Sequence, residues 1–181
     1  MTIVRFDDLK AVPWKNGLGI TREIAVEPPG ATMHDFLWRV SIADVDTASP
    51  FSRFPGIDRT IVLLDGDGFT MTLDGDRRHA LTTPCEPFAF AGEAQVEVSL
   101  AGGATRDFNL MVRRGVATGR IDVLRGPASL TFDDVTMLHV ARGSAVVDGE
   151  SCTTGDSSIA PHAATLDEHT TILVVRVAID R

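Results

Sequence analysis

Apolar and polar positions alternate with a period of two along much of this chain. In residues 36–43, Phe36, Trp38, Val40 and Ile42 fall on one side, and Arg39 and Ser41 on the other. In residues 107–113, Phe108, Leu110 and Val112 oppose Asp107, Asn109, Met111 and Arg113. A period of two is the signature of a strand whose successive side chains point to opposite faces. Runs of this kind recur at residues 2–6, 22–26, 36–44, 60–64, 69–73, 87–90, 95–100 and 107–112. They continue at 119–124, 128–132, 137–141, 144–147, 157–160 and 171–178, with Gly, Pro and Asp between them. No segment holds a helical period for long, and single helical turns at 7–10 and 49–54 are the most the pattern allows. Many short strands separated by turn residues predict an all-β sandwich or barrel.

The pattern also repeats. Residues 61–71 and 138–147 each read as an apolar strand, a glycine turn and a second, alternating strand. Each is followed by Asp-Gly, at Asp74-Gly75 and Asp148-Gly149, which predicts two tight hairpins in succession. In the second copy Gly155-Asp156 leads on to Ile159-Ala160-Pro161. This order resembles that of cupin barrels, and two copies resemble a bicupin. The fold expected is therefore all-β, a cupin-like β-barrel or jelly roll with two cupin-like halves in one compact unit. The division predicted is 1–115 for the N-terminal half and 116–181 for a degenerate C-terminal half.

Composition narrows the partners. With 17 Lys and Arg against 25 Asp and Glu, the 181-residue chain carries a net charge of −8, and its average field repels phosphate. Nucleic acid and anionic membrane are thereby disfavoured as partners. The leading residues show no cationic segment followed by an apolar run, and no apolar stretch approaches the ~20 residues that span a bilayer, so a cytoplasmic location is expected. Cys85 and Cys152 form no CxxC pair.

Cupins often hold a metal with two histidines, a glutamate and a further histidine. Here Ser52-Arg53-Phe54-Pro55 and Arg59 occupy the first set of positions, and Leu130-Thr131-Phe132 and Thr136 occupy them in the second copy. Leu166 stands where the last ligand would be, and histidines 34, 79, 139, 162 and 169 show no i, i+2 or i, i+4 pairing. A metal needs three or four converging ligands. The expectation is no metal and no cofactor.

One stretch departs from simple alternation. Residues 12–24 gather Trp14, Lys15, Asn16, Thr21, Arg22 and Glu23 around Gly17 and Gly19. A core strand has no use for that mixture, whereas a turn presenting side chains to a ligand does. The alternative is that Trp14 plugs a barrel end, Asn16-Gly17 makes a tight turn, and Lys15, Arg22 and Glu23 are solvated. The Gly-x-Gly stands without the rest of a phosphate loop. If the polar sides of 36–43 and 107–113 line a barrel mouth, Arg39, Ser41 and Asn109 suit a small carboxylate, with Arg supplying a bidentate fork. The alternative is an ordinary sheet with a wet outer face. Arg53 and Arg59 add cations among aromatics, and Asp58-Arg59 also reads as a turn-anchoring ion pair. Neither cysteine has a histidine nearby in sequence to activate it, and there is no Gly-x-Ser-x-Gly. Glu23 beside Arg22 reads as a paired carboxylate and a weak base.

Four ordered blocks carry a closer resemblance. They are Trp14-Lys15-Asn16-Gly17-x-Gly-x-Thr21-Arg22-Glu23-Ile24, Phe36-x-Trp38-Arg39-x-Ser41-x-Ala43, Phe51-Ser52-x-Phe54-Pro55-Gly56-x-Asp58-Arg59 and Asp107-Phe108-Asn109-Leu110-Met111-x-Arg113. Together they resemble the HutD/Ves family, with Leu18 interrupting the glycine run. The resemblance implies a cytoplasmic bicupin without the usual metal triad. It also implies a governor of bacterial histidine utilisation that binds an intermediate such as urocanate or formylglutamate. The pocket residues carried over are Trp14, Lys15, Asn16, Thr21, Arg22, Glu23, Arg39, Ser41, Arg59 and Asn109, with Arg39 and Arg22 on the carboxylate and Trp14 capping the mouth. The partner implied is a small carboxylate metabolite, and pairing through sheet edges makes a homodimer compatible. The alternatives are a small-molecule isomerase or hydrolase using Glu23 or Asp107 as base, and a protein-interaction module.

Overall fold

Glycine and Asp-Gly turns cut the chain into strands that the register then sorts by face. The structure, a computed structural model, describes residues 1–180. It begins with β1 (Thr2–Val4), a 3₁₀ turn at Phe6–Asp8, β2 (Ala11–Pro13), β3 (Gly19–Glu27), β4 (Trp38–Val45), β5 (Ile57–Asp65), β6 (Phe69–Leu73), β7 (Arg77–Leu81), β8 (Phe88–Ala91) and β9 (Val96–Leu100). It continues with β10 (Thr105–Arg113), β11 (Ala117–Arg125), β12 (Ala128–Thr131), β13 (Met137–Arg142), β14 (Ser144–Val147), β15 (Glu150–Thr153), β16 (Ser157–Ile159), β17 (Ala163–Leu166) and β18 (Thr171–Ile179). Among the described residues no helix is long and apolar enough to cross a membrane. Residues 49–54 form no helical turn.

Two units emerge. One comprises Lys10–Thr118 with the residues from Ile179 onward, the other Met1–Leu9 with Gly119–Ala178. The first nine residues therefore lie apart from the half that a cut at 115/116 gives them. The cause is local: β1 pairs antiparallel with β16, and Asp156 takes Arg5 Nη1 at 2.9 Å and the Phe6 amide at 3.2 Å.

Each unit is a two-sheet jelly roll. The Lys10–Thr118 unit has a six-stranded sheet ordered β2-β3-β4-β10-β5-β8 and a three-stranded sheet β7-β6-β9. The other has a five-stranded sheet β1-β16-β13-β18-β11 and a four-stranded sheet β12-β17-β14-β15. The order β4-β10-β5-β8 in one corresponds to β11-β18-β13-β16 in the other, so the sequence repeat is a repeat of topology. The first turn of each copy is no hairpin, however. Gly66 and Gly68 carry the chain from β5 in the larger sheet to β6 in the smaller, and Gly143 does the same between β13 and β14. At Gly68, with φ of +73°, a Cβ would lie 2.0 Å from the Leu81 carbonyl oxygen, so only glycine fits that crossing. The second turn is a hairpin in both copies. Asp148 and Gly149 form a two-residue loop with both φ positive, as a type I′ turn requires. Asp74 and Gly75 share those signs, with Asp76 added.

The cores follow from the alternation. In the Lys10–Thr118 unit, Ile61 and Leu63 of β5 pack with Phe69, Met71, Leu73, Leu81 and Val96 of the smaller sheet. In the other unit Leu138, Val140, Ile172 and Val174 meet Ala145, Val147, Ala164 and Leu166. The outer side of β4 is no wet face: Val40 and Ile42 are fully buried, and Ser41 and Asn109 on the inner side are buried too.

Candidate functional site

Side chains directly opposite one another in an antiparallel ladder share a face, so the register locates the candidate residues. Glu23 pairs with Ser41, Ser41 with Asn109, and Asn109 with Ile61. Arg39 pairs with Met111, and Met111 with Arg59. Because Ile61 and Leu63 belong to the core against the smaller sheet, this whole row lies on the inner face of the six-stranded sheet. The structure thus brings together Thr21, Glu23, Arg39, Ser41, Arg59 and Asn109 from β3, β4, β5 and β10.

Arg59 is the centre of the arrangement. Its guanidinium carbon lies 5.3, 5.5 and 4.9 Å from the ring centres of Phe51, Phe54 and Phe90. Such rings attract a cation through their quadrupole. Its Nη2 donates to Asn109 Oδ1 at 3.0 Å, while its Nε is enclosed and has no hydrogen-bond partner. Burial, with Arg39 adding repulsion, brings the guanidinium pKa down to about 10, so it stays charged at neutral pH. Among the described residues no carboxylate forms an ion pair with it. Asp58, its neighbour in sequence, points to the opposite face and pairs instead with Arg114 at 2.6 Å, so the Asp58–Arg59 ion pair does not form.

Arg39 is already engaged. Its Nε donates to Glu23 at 2.7 Å and its Nη1 to Ser41 Oγ at 3.3 Å. Glu23 is therefore the partner of Arg39 rather than of Arg22. Adjacent strand residues face opposite ways, and a bulge at Ile24 lets Glu23 keep the inner face while Ala25 turns to the other. Arg22 lies on the outer face, ion-paired with Asp44, which also accepts from Arg106 at 2.6 Å. Arg22 and Arg39 do not converge on one carboxylate.

The β2–β3 turn is held by its own side chains. Asn16 Oδ1 accepts from the Leu18 amide at 3.1 Å and its Nδ2 donates to Ser49 Oγ at 3.1 Å, so Asn16 fixes the turn. Lys15 is exposed on the same turn. Trp14 Nε1 donates to Thr21 Oγ1 at 2.8 Å, which ties the indole to the inner row. Gly19 makes room for it, since a Cβ there would come within 2.9 Å of the indole ring and 2.6 Å of the Asp44 carbonyl oxygen.

The sequence placed Arg59 among aromatics without revealing Phe90 as the third ring, and it gave Asp107 only the role of an alternative base. Asp107 lies on the same inner row, opposite Ala43 and Leu63, and is 1% exposed. Its Oδ1 has no hydrogen-bond partner and its other oxygen accepts from Thr105 Oγ1 at 3.4 Å. Burial raises its pKa to about 7. The alternation of β10 was the signal available, since it already put Asp107 beside Asn109 and Met111. In the other unit the corresponding strands, β13 and β18, present Leu138, Val140, Ile172 and Val174, an apolar filling. Among the described residues no three His, Cys, Asp or Glu side chains are grouped to hold a metal ion.

Two jelly rolls of one strand order, one apolar within and one lined by arginine and amide, define a protein of the cupin fold. A cupin 2 conserved barrel domain protein from Leptotrichia buccalis shares that fold with a TM-score of 0.63 over 98% of this chain and 96% of the other, at 11% identity. The chain belongs to the HutD family, whose model matches residues 6–178, and is thus a cupin associated with histidine utilisation. It is 39% identical over 146 residues to a 21.2 kDa protein of the hutC 3′ region of Pseudomonas putida, an alignment covering 81% of this chain and 76% of that one. It is 41% identical to the protein Ves of Cronobacter sakazakii over 66% of each chain. HutD from Pseudomonas fluorescens SBW25, in its formate condition, matches with a TM-score of 0.84 and 29% identity over 99% of both chains.

Proposed function

We propose that the inner face of the six-stranded sheet binds a small carboxylate metabolite, of the urocanate or formylglutamate type, without a metal, and that this binding modulates histidine utilisation. The observation that carries the reading is Arg59: an enclosed cation with an amide and three rings around it and, among the described residues, an unused Nε and no carboxylate partner. A buried charge is costly unless paired, and a ligand carboxylate supplies the pair through the guanidinium fork. Arg39, held by Glu23 and Ser41, adds positive potential beside it. Two guanidinium groups on this face also repel a metal cation, where other cupins place a glutamate. Family membership supports the pathway.

Thermal shift and calorimetry against urocanate, formylglutamate, glutamate and histidine, each with and without EDTA, test this. One acid is expected to stabilise the protein by a few kcal/mol at ligand well above Kd, to do so equally in EDTA, and to lose affinity in Arg39→Ala. No shift with any acid, unchanged affinity in Arg39→Ala, or destabilisation by EDTA alone would overturn the reading. Arg22→Ala serves as the contrast. It is expected to bind the same acid as tightly as wild type while losing about 1 kcal/mol of stability, because Asp44 keeps only Arg106. A loss of affinity equal to that of Arg39→Ala would place Arg22 in the site after all.

A second reading, an isomerase or hydrolase, finds its support in Asp107, whose buried carboxyl has a pKa near that of a general base at neutral pH. Glu23, held by Arg39, is the weaker candidate for that role. Recovery of the bound acid unchanged after prolonged incubation separates binder from enzyme.

A further inference from the structure

We infer that Asp107 is the second pole of this site and takes a hydrogen-bond donor from a ligand whose carboxylate lies against Arg59 and Arg39. The inference rests on the carboxylate-binding reading above. It narrows the ligand to acids that carry a neutral N–H donor about 7 Å from the carboxylate, one strand rung away.

Three features of the row lead there. Asp107 follows Asn109 by two residues on β10 and so lies on the same face, one rung further along. Arg59 reaches Asn109 Oδ1 with its Nη2 at 3.0 Å, so the guanidinium covers the Asn109 rung and Asp107 comes next. On that rung the cross-strand neighbours are Ala43 and Leu63, with Thr21 beyond Ala43. Alanine is the smallest side chain in the row and stands between Thr21 and Asp107. Thr21 is spoken for by the Trp14 indole, which fixes that end of the row.

The Thr105 hydroxyl, at 3.4 Å, uses one oxygen of the carboxyl at position 107, and among the described residues nothing uses Oδ1. An enclosed oxygen without a partner is a standing cost, and an apolar side chain between Ala43 and Leu63 would avoid it. The chain instead places a bulge beside it: Arg106 opposes Asp65 and Asp107 opposes Leu63, leaving Leu64 as the extra residue. Bulges re-aim side chains next to functional sites. The free Oδ1 is an acceptor awaiting a donor. A second carboxylate on the ligand is the wrong group, because it would bring one acceptor against another at Asp107 Oδ1. An imidazole or amide N–H fits. The raised pKa of Asp107 agrees with a carboxyl that no cation among the described residues compensates.

Calorimetry on the whole protein with urocanate and 3-(furan-3-yl)acrylate, repeated in Asp107→Leu, tests the donor, since the two acids share the carboxylate, the spacer and the ring shape and differ in the ring nitrogens. Wild type is expected to prefer urocanate about tenfold, the range for a donor that completes a buried acceptor. In Asp107→Leu, which keeps the volume and removes both oxygens, urocanate is expected to fall to the affinity of the furyl acid. Equal affinities in wild type, with both lost in Arg59→Met, would overturn this inference and leave the carboxylate site standing. A preference that survives Asp107→Leu would overturn it too. Failure of both acids to bind wild type would overturn this inference together with the reading beneath it. The wild-type comparison decides the matter even if the variant does not fold.

Discussion

Arg59→Met is expected to reduce carboxylate affinity by about 30-fold or more while the ligand-free protein melts at the wild-type temperature or above it. Affinity and stability move apart because, on the carboxylate-binding proposal, the partner of Arg59 is the ligand. A charge-assisted hydrogen bond contributes roughly 1.5–3 kcal/mol, and the guanidinium offers two of them to a carboxylate. Without ligand, the same group is a desolvated cation whose Nε finds no acceptor and whose pKa burial has lowered to about 10. Methionine keeps an unbranched stem, and its thioether packs well against Phe51, Phe54 and Phe90. The loss of the Asn109 contact works the other way by about 1 kcal/mol. Calorimetric titration and thermal melts of both proteins check the two halves separately. Affinity within threefold of wild type would remove Arg59 from the binding role, and a melt lowered by many degrees would make it a structural cation.

What could be read in the sequence follows the strength of each local signal. Phe69–Leu73 and Ser144–Val147 are found with the bounds the alternation gives. The strands that escaped notice are weak in that signal. Arg77–Leu81 is a polar edge strand, Ala11–Pro13 contains a proline at an edge, Glu150–Thr153 is the polar arm of a hairpin, and Ala163–Leu166 offers two alanines. Edge strands of this kind suit chains that avoid pairing with one another. Faces were legible too: the alternation of 36–43 and 107–113 put Arg39, Ser41, Asp107 and Asn109 on the polar side. Which side faces the core was not, because that depends on the smaller sheet, whose packing no local pattern encodes. Pairing was the least legible feature. Arg22-Glu23 and Asp58-Arg59 look like ion pairs as adjacent letters, yet strand geometry sends adjacent residues to opposite faces, and Glu23 and Asp58 find Arg39 and Arg114 instead.

The two copies illustrate how a site comes to lie in one of them. Both use the same glycine crossing and the same Asp-Gly hairpin, and in both the hairpin aspartate accepts backbone amides from the next strand of its sheet or the residues leading into it. Asp74 takes the Gln95 amide at 3.0 Å, and Asp148 takes those of His162 and Ala163 at 3.1 and 2.7 Å. The scaffold is thus set by turns, and the interior is free to diverge. Where Arg59 stands in one copy, Thr136 stands in the other and donates no charge: its hydroxyl accepts the Val177 amide at 2.9 Å. An apolar interior leaves no polar group to satisfy, whereas the other holds Arg59 Nε and Asp107 Oδ1 without partners among the described residues.

Asp107→Asn is expected to stabilise the ligand-free protein at pH 8 and to have little effect near pH 4. The carboxyl is 1% exposed and is raised from 3.8 to about 7, chiefly by burial, with Asp44 adding repulsion and the Thr105 hydroxyl offsetting part of it. The folded state therefore holds its proton more tightly than the unfolded chain does. Between about pH 4 and pH 7 the folded form binds more protons, so stability falls as pH rises through that window and stays flat above it. At about 1.4 kcal/mol for each pKa unit, the full penalty is on the order of 4 kcal/mol, an upper bound that any water entering the site would reduce. Asparagine does not ionise, so the variant escapes it. Other carboxylates titrate in the opposite sense: Asp44, Asp148 and Asp156 are lowered, and their contributions are lost toward acid. They are common to both proteins and cancel in the difference. Urea denaturation of the pair at pH 4, 5, 6, 7 and 8 gives that difference directly. A gap that widens toward pH 7 and then levels off identifies Asp107 as the uncompensated carboxyl of the site, and a gap independent of pH would mean that its charge is already balanced in the folded protein.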